Sequence, residues 1–218
     1  VIRVRFGSRR LRHGLSCFRI RESGVTVICD PYDKSVGLVL PKMRADIVTV
    51  SHDHLDHNYT DDLPGSPRVI KTARGGRAGV VKVAGFETFH DENRGRERGS
   101  NIVFVFEDEG LRLAHLGDLG HIPAEQARAI GAVHVVLLPV GGYFTIGPDA
   151  AHRTAALLKA KVIIPMHFAT KKTNMPIVGV DRFTAGQGNV KLLGVPEVEV
   201  TPGSLPDSPE IWVLEHAL

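Results

Sequence analysis

Ile47-Val48-Thr49-Val50-Ser51-His52-Asp53-His54-Leu55-Asp56-His57-Asn58 is the stretch on which the reading of the whole chain turns. Its first four residues are a β-branched apolar run of the kind that fills a buried strand. The next eight hold three histidines and two carboxylates. Imidazole and carboxylate are the ligands that a borderline divalent cation such as zinc takes. On an extended segment residues i and i+2 project to the same side, so His52 and His54 can reach one metal. A turn into helix at Leu55 would swing Asp56 and His57 toward a second metal beside the first. A polar loop with solvent-facing histidines would not need ligands at this density.

The pattern His52-x-His54-x-Asp56-His57 resembles the signature of the metallo-β-lactamase-fold hydrolases. It is similar above all to the branch that includes L-ascorbate 6-phosphate lactonase and many members of unassigned substrate. The resemblance runs from about Gly14 to about Thr173, with the later motifs in the family's order. Near its start the family has Gly-His-Ser-x-Phe followed by Asp-Pro. Gly14, Ser16, Phe18 and Asp30-Pro31 match, and Leu15 stands where histidine is common. That departure bears on the polarity around the ligands more than on metal binding. Asp30 is expected to hydrogen-bond backbone amides or a ligand histidine, or else simply to shape an Asp-Pro turn.

The resemblance implies a full ligand set. His90, before Gly99-Ser100-Asn101-Ile102-Val103-Phe104, takes the place of the histidine that completes the first metal's face with His52 and His54. His167, after Val162-Ile163-Ile164-Pro165-Met166, takes the place of the last histidine, joining Asp56 and His57 on the second metal. Asp118, in Gly117-Asp118, takes the place of the bridging aspartate. A carboxylate can offer one oxygen to each of two cations and offset their repulsion, which a neutral imidazole cannot. Two divalent ions are therefore expected as cofactors, zinc first, with manganese, iron or nickel also suited to such nitrogen and oxygen ligands. The expected fold is α+β, a four-layered αβ/βα sandwich of two sheets with outer helices and the metals at one edge between the sheets. The expected chemistry is hydrolysis by a hydroxide held between two cations, with Asp56 and Asp118 as the catalytic carboxylates.

Composition is consistent with this and narrows the partners. The 218 residues can bury a sizeable core and are read as a single domain over residues 1–218. A hydrophobic share of 43% with 23 glycines suits a loop-rich globular protein. No apolar run approaches the roughly 20 residues of a membrane span, and the arginine-bearing start lacks a signal-like apolar segment; a cytoplasmic protein without a membrane partner is expected. The net charge of +3 suits an anionic substrate and lacks the clustering that nucleic-acid binding needs. Cys17 and Cys29 are read as small buried residues in a reducing compartment. A homo-oligomer is compatible with the sequence.

Along the chain, Val1 to Phe6 reads as an edge strand, and Ser16 to Ile20 with Val25 to Cys29 as a hairpin. Val69 to Lys71 and Val80 to Val83 read as short strands flanking a solvated basic hairpin turn, Arg74-Gly75-Gly76-Arg77. Ile102 to Phe106 and Leu111 to His115 form an antiparallel pair. Pro123 to Ile130 and Asp149 to Ala160 read as helices, Val133 to Leu138 and Val162 to Ile164 as buried strands. Edge strands are expected at Glu197 to Val200 and Ile211 to Leu214.

Substrate contacts must come from loops. His121 can act as a contact or proton shuttle, and Tyr143, in Gly141-Gly142-Tyr143-Phe144-Thr145, as a donor to an oxyanion or as a packed loop aromatic. Arg94, Arg96 and Arg98, close to His90, can bind a carboxylate or phosphate or simply solvate a charged loop. His115 is expected to orient a ligand, and His13, His134, His152 and His216 to be structural or at the surface. The substrate class is a small anionic lactone, ester or phosphoester. Alternatives are a nuclease of the same superfamily or a non-catalytic metal-binding module. The 48 residues between Asp118 and His167 leave no room for the insertion of RNA-processing nucleases. A non-catalytic module would have lost ligands, and the 51 residues after His167 leave little room for a further domain.

Overall fold

A computed structural model describes residues 2–6, 15–33, 42–108, 110–170 and 175–215; His13, Gly14, Thr173 and His216 lie outside them. The chain builds two sheets. The first contains β1 (Ile2–Phe6), β2 (Phe18–Glu22), β3 (Val25–Cys29), β4 (Ile47–Thr49), β5 (Arg68–Ile70) and β13 (Glu197–Val200), in the order β13-β1-β2-β3-β4-β5. The second contains β6 (Gly76–Ala78), β7 (Val81–Phe89), β8 (Ser100–Asp108), β9 (Leu111–His115), β10 (Val135–Pro139), β11 (Val162–Met166), β12 (Val190–Leu192) and β14 (Glu210–Val213), in the order β12-β14-β11-β10-β9-β8-β7-β6. One apolar core joins them: Ile2, Phe18, Ile20, Val27 and Ile47 from the first sheet pack with Val103, Val105, Leu113, Val136 and Ile164 from the second.

The β2–β3 hairpin closes through Ser23 and Gly24, at φ 45° and 81°. Two successive positive φ values are what a two-residue turn matched to strand twist requires. Val27 and Ile47 face the joint core, while their neighbours Ile28 and Val48 join Leu15, Cys17, Tyr32, Val50 and Leu63 in a second cluster on the outer face. Both faces of β4 are thus buried, which is why its sequence is apolar without alternation. On the eight-stranded sheet, α1 (Ala124–Ile130) packs near β7, and α2 (Pro148–Leu157) near β10 and α3 (Val180–Thr184). The sheets and their outer helices form the expected sandwich. Among the described residues no helix is long and apolar enough to cross a membrane.

Four expectations need correction. β1 is interior, because β13 pairs with it on the far side through Ile2↔Val200 to Arg5↔Glu197; alternation reports a wet face, not a free edge. β14 is interior too, between β11 and β12. The basic stretch 74–77 is not a hairpin turn, since β5 and β7 lie in different sheets and the chain crosses between them there. The short strand expected at Val80 to Val83 is the start of one nine-residue strand, β7, which runs on to Phe89. Gly85 disguised its continuity. A Cβ there would stand 2.7 Å from the Ala73 backbone, so glycine marks a close approach of two chain segments, not a break.

Candidate metal centre

Strand direction gathers the candidate ligands. β3 and β4 run parallel, β9, β10 and β11 run parallel, and β7 is antiparallel to β8, which is antiparallel to β9. The loops after β3, β4, β7, β9 and β11 therefore leave their strands at carboxyl ends of common sense, and they carry Asp30, His52 to His57, His90, Asp118 and His167. All seven expected ligands meet. Three groups have ligand atoms within 4.8 Å of one another: His52, His54 and His90; His52, His57 and Asp118; and Asp56, Asp118 and His167.

Asp118 is the hub. Its Oδ2 lies 3.3 Å from Nε2 of His57, 3.3 Å from Nε2 of His167 and 3.6 Å from Nε2 of His90. His57 Nε2 also stands 3.5 Å from Asp56 Oδ2, and His52 Nε2 stands 3.0 Å from His54 Nδ1. Two donors on one tetrahedral ion with bonds near 2.1 Å would be about 3.4 Å apart, so these spacings fit ligands that share a cation.

Proton placement supports the same fit. His57 is fully buried, and its Nδ1 lies 2.8 Å from Asp30 Oδ2, which makes Nδ1 the donor. Its Nε2 then aims a lone pair at two carboxylates and has no hydrogen-bond partner. Such an atom needs a positive charge in front of it. In the protein alone a proton supplies it: burial pushes the His57 pKa down, but the Asp118 and Asp30 carboxylates outweigh burial and hold it well above the ordinary value. A divalent cation would do the same while coordinating. Asp118 reflects the reverse balance, with burial pushing its carboxyl up and His167 and His57 holding it well below the usual range. Burial and then the neighbouring His57 charge push His52 down to about 3, leaving it neutral and able to ligate. Asp56, lifted by burial and drawn down by His57, falls to about 2.

A surrounding layer holds the candidate ligands, as metal sites require. Asp30, at φ 46°, accepts the Ser51 amide at 2.8 Å on Oδ1 and the Ser51 hydroxyl at 2.6 Å on Oδ2, and that hydroxyl meets His52 Nδ1 at 2.9 Å. Asp30 therefore orients His57 directly and His52 through Ser51. Its ligand-histidine role agrees with the sequence reading. Ser16 donates its hydroxyl to Asp118 Oδ1 at 3.1 Å, and Asn101 Oδ1 accepts the Asp118 amide at 3.0 Å. His115 accepts the Gly117 amide on Nδ1 and donates Nε2–H to the Ser16 carbonyl at 2.7 Å; burial lowers its pKa and keeps it neutral. At the position where the family often has histidine, Leu15 packs its side chain into the outer cluster, and its carbonyl accepts the His167 amide at 3.0 Å. Sequence reasoning did not assign Ser16, Ser51 or Asn101 their parts. The available signal was a polar residue set against an apolar strand, as in Asn101-Ile102-Val103-Phe104.

The expected substrate contacts separate. His90, Arg98, Asn93, Tyr143, Phe144 and Thr145 are among the residues lining a cavity of about 280 Å³. Tyr143 is exposed, with φ 61°. Arg94 and Arg96 are exposed and do not line the cavity. His121 is exposed, pairs its backbone with Phe89 and stacks on the Phe89 ring at 6.4 Å; it joins none of the three ligand groups.

Two facing sheets with histidines and aspartates collected at one edge define a metallo-β-lactamase-fold hydrolase, and comparison with known proteins bears this out. The chain belongs to the β-lactamase superfamily domain family, whose model matches residues 12–167. It is similar to a crystal structure from Thermotoga maritima described as a Zn-dependent hydrolase of the metallo-β-lactamase superfamily, with 37% identity, TM-score 0.80 and 98% of each chain covered. It is 30% identical to a UPF0173 metal-dependent hydrolase of Thermoplasma volcanium over 72% of this chain and 82% of that protein. A UPF0173 metal-dependent hydrolase of Hyperthermus butylicus is 29% identical over 77% and 85%. The chain is a metal-dependent hydrolase of this superfamily.

Proposed function

We propose that the chain hydrolyses a small anionic lactone, ester or phosphoester at a two-metal centre, with zinc as the first choice of ion. The reading rests chiefly on Asp118 Oδ2, placed between Nε2 of His57, His90 and His167, with His57 Nε2 buried and unpartnered. His52, His54 and His90 would hold one ion, Asp56, His57 and His167 the other, and Asp118 both. Two such ions supply a nucleophile from water at neutral pH and polarise the oxygen of the bond to be cut. Asp56, half-buried where Asp118 and His167 beside it are buried, would orient the attacking water and accept its proton. Asp118 neutralises charge at the centre; the Ser16 hydroxyl on its Oδ1 and the Asn101 side chain on its backbone amide hold it in place through turnover. The cavity beside His90 has room for a small molecule rather than a polymer. The centre, its carboxylates and the core that joins both sheets suit one catalytic domain over residues 1–218, and the net charge of +3 suits an anionic substrate.

Metal analysis of protein purified without chelator tests the centre: two equivalents of divalent metal per chain are expected, and no bound metal with no uptake on reconstitution would sink the reading. Screening lactones, phosphodiesters and acyl esters with the metal-loaded protein tests the reaction class.

A further inference from the structure

The cavity beside His90 is walled by the turn-rich segment 91–98, which the sequence suggests is a loose charged loop. One side chain makes it a built structure. Asp91 Oδ1 accepts the amides of Asn93 at 2.8 Å and Gly95 at 2.9 Å, and Oδ2 accepts those of Glu97 at 3.0 Å and Arg98 at 2.8 Å. Four charge-assisted bonds on one buried carboxylate fix the backbone from which Arg98 projects. At the other end of that side chain the guanidinium carbon lies 5.9 Å from the centre of the Phe144 ring across the cavity, within cation–π range. Attraction to an aromatic face draws the guanidinium toward the ring while leaving its edge donors free. Its nearest acidic partner, Glu97 Oε2, is 3.9 Å from Nη1, beyond hydrogen-bond reach, and among the described residues the guanidinium donates no hydrogen bond.

We infer that Arg98, positioned by Asp91, is the specificity-determining residue that receives a carboxylate or phosphate of the substrate in the cavity beside His90, and that Arg94 and Arg96 take no part. This rests on the hydrolase reading above and narrows three arginines to one. Three carboxylates share this wall. Asp91 spends both oxygens on its own loop, Glu97 accepts the Asn93 side-chain amide, and Glu92, which also lines the cavity, is exposed to solvent. A guanidinium with unused donors in a cavity of about 280 Å³ is matched by a group of carboxylate or phosphate size, bound in bidentate fashion. Asp91 is a positioning residue here and touches no substrate.

The test compares the zinc-loaded protein with its Arg98→Gln, Arg98→Lys, Arg94→Gln, Arg96→Gln and Asp91→Asn variants. The substrates are 4-nitrophenyl acetate and mono-4-nitrophenyl succinate, which share a leaving group and differ in charge. Arg98→Gln should lower kcat/KM for the succinate ester roughly 10- to 100-fold, mainly through KM, and leave the acetate and the metal content unchanged. Arg98→Lys should restore part of that loss, Asp91→Asn should raise KM for the succinate ester alone, and Arg94→Gln and Arg96→Gln should match wild type. Equal loss on both esters, or no loss on either, overturns the inference. Should wild type hydrolyse neither ester, the ester hydrolase reading fails by itself, and calorimetric binding of succinate and succinamide still decides Arg98. A weakening of about tenfold or more for succinate alone, confined to the Arg98 and Asp91 variants, supports the inference; succinate affinity equal in all variants overturns it.

Discussion

Asp30 Oδ2 and His57 Nδ1 lie 2.8 Å apart with both side chains fully buried, so a residue that touches no proposed metal fixes which nitrogen of His57 faces the centre. Asp30→Asn keeps the size, and asparagine tolerates the φ of 46°, so backbone strain does not confound the result. An amide, however, has only one accepting oxygen: placed at Oδ2 it leaves an NH2 against the Ser51 amide, and placed at Oδ1 it leaves an NH2 against the Ser51 hydroxyl and His57 Nδ1. Zinc affinity should fall by about 10- to 100-fold, read by competition with a chromogenic chelator. Unaltered affinity would show that His57 needs no such partner.

Asp118→Asn should separate charge from shape. The variant retains a group for the Ser16 hydroxyl and the backbone link to Asn101, and loses the negative charge beside three imidazoles. Bound metal should drop from two equivalents to one or none, and turnover should fall by at least about 100-fold, some 2.7 kcal/mol of barrier. Unchanged metal content and activity would refute the assigned role.

Removing metal should destabilise the fold, because the ligands come from loops after strands of both sheets and a cation stitches these together. Binding to the native state alone stabilises by about 2.7 kcal/mol at a hundredfold excess over Kd. Tm should fall on dialysis against EDTA and recover with added zinc. A Tm indifferent to both would argue against a bound ion.

Far from the centre, Glu22 predicts a pH effect. It ends β2 in one sheet, while Asp108 ends β8 in the other and accepts the Ser23 hydroxyl. Burial first, and then the Asp108 carboxylate, push Glu22 from an ordinary 4.5 up to about 7. Between those values the folded chain keeps a proton that the unfolded chain releases, so this residue's contribution to stability is present below about pH 4.5 and is lost as pH rises through about 7. Thermal melts from pH 5 to 8 should therefore show wild type losing stability relative to Glu22→Gln as pH rises. Parallel curves would mean that Glu22 titrates normally.

The candidate cluster was legible because its residues follow strand ends beside apolar runs, and a metal demands residue types that little else demands. The strands were legible where burial on both faces leaves uninterrupted apolar residues, as in Val135–Pro139, buried at every position. What the sequence concealed was pairing. Ile2–Phe6 alternates identically whether its outer neighbour is water or β13, and its partner lies nearly 200 residues on, in Ile2↔Val200. Local patterning carries no record of such contacts. The arginines posed the same problem: Arg94, Arg96 and Arg98 are equivalent in sequence, and only the Asp91 hydrogen bonds and the Phe144 ring distinguish the third.

Gly120 illustrates how a residue with no chemistry can govern the centre. It follows Asp118 by two, its φ is not in the left-handed region, and a Cβ added to it would overlap the backbone of His90 and Asp91. Its amide donates to the Phe89 carbonyl at 2.8 Å, so the Asp118 loop is tied directly to the end of β7. Because the obstruction is backbone, no rotamer change relieves it, and Gly120→Ala must push the two loops apart. That separates His90 from Asp118, now 3.6 Å from Nε2 to Oδ2, and moves the Asp91 wall of the cavity. Gly188 is the control. It is exposed, has nothing within 4 Å of an added Cβ and shows no left-handed φ, so alanine there should be neutral or stabilise by about 0.4–1 kcal/mol through the unfolded state. Gly120→Ala should instead cost about 1–3 kcal/mol and weaken metal binding, measured by denaturant melts and metal analysis side by side. Equal behaviour of the two variants would show that the loops accommodate a methyl group and that the close approach at Gly120 does not position His90.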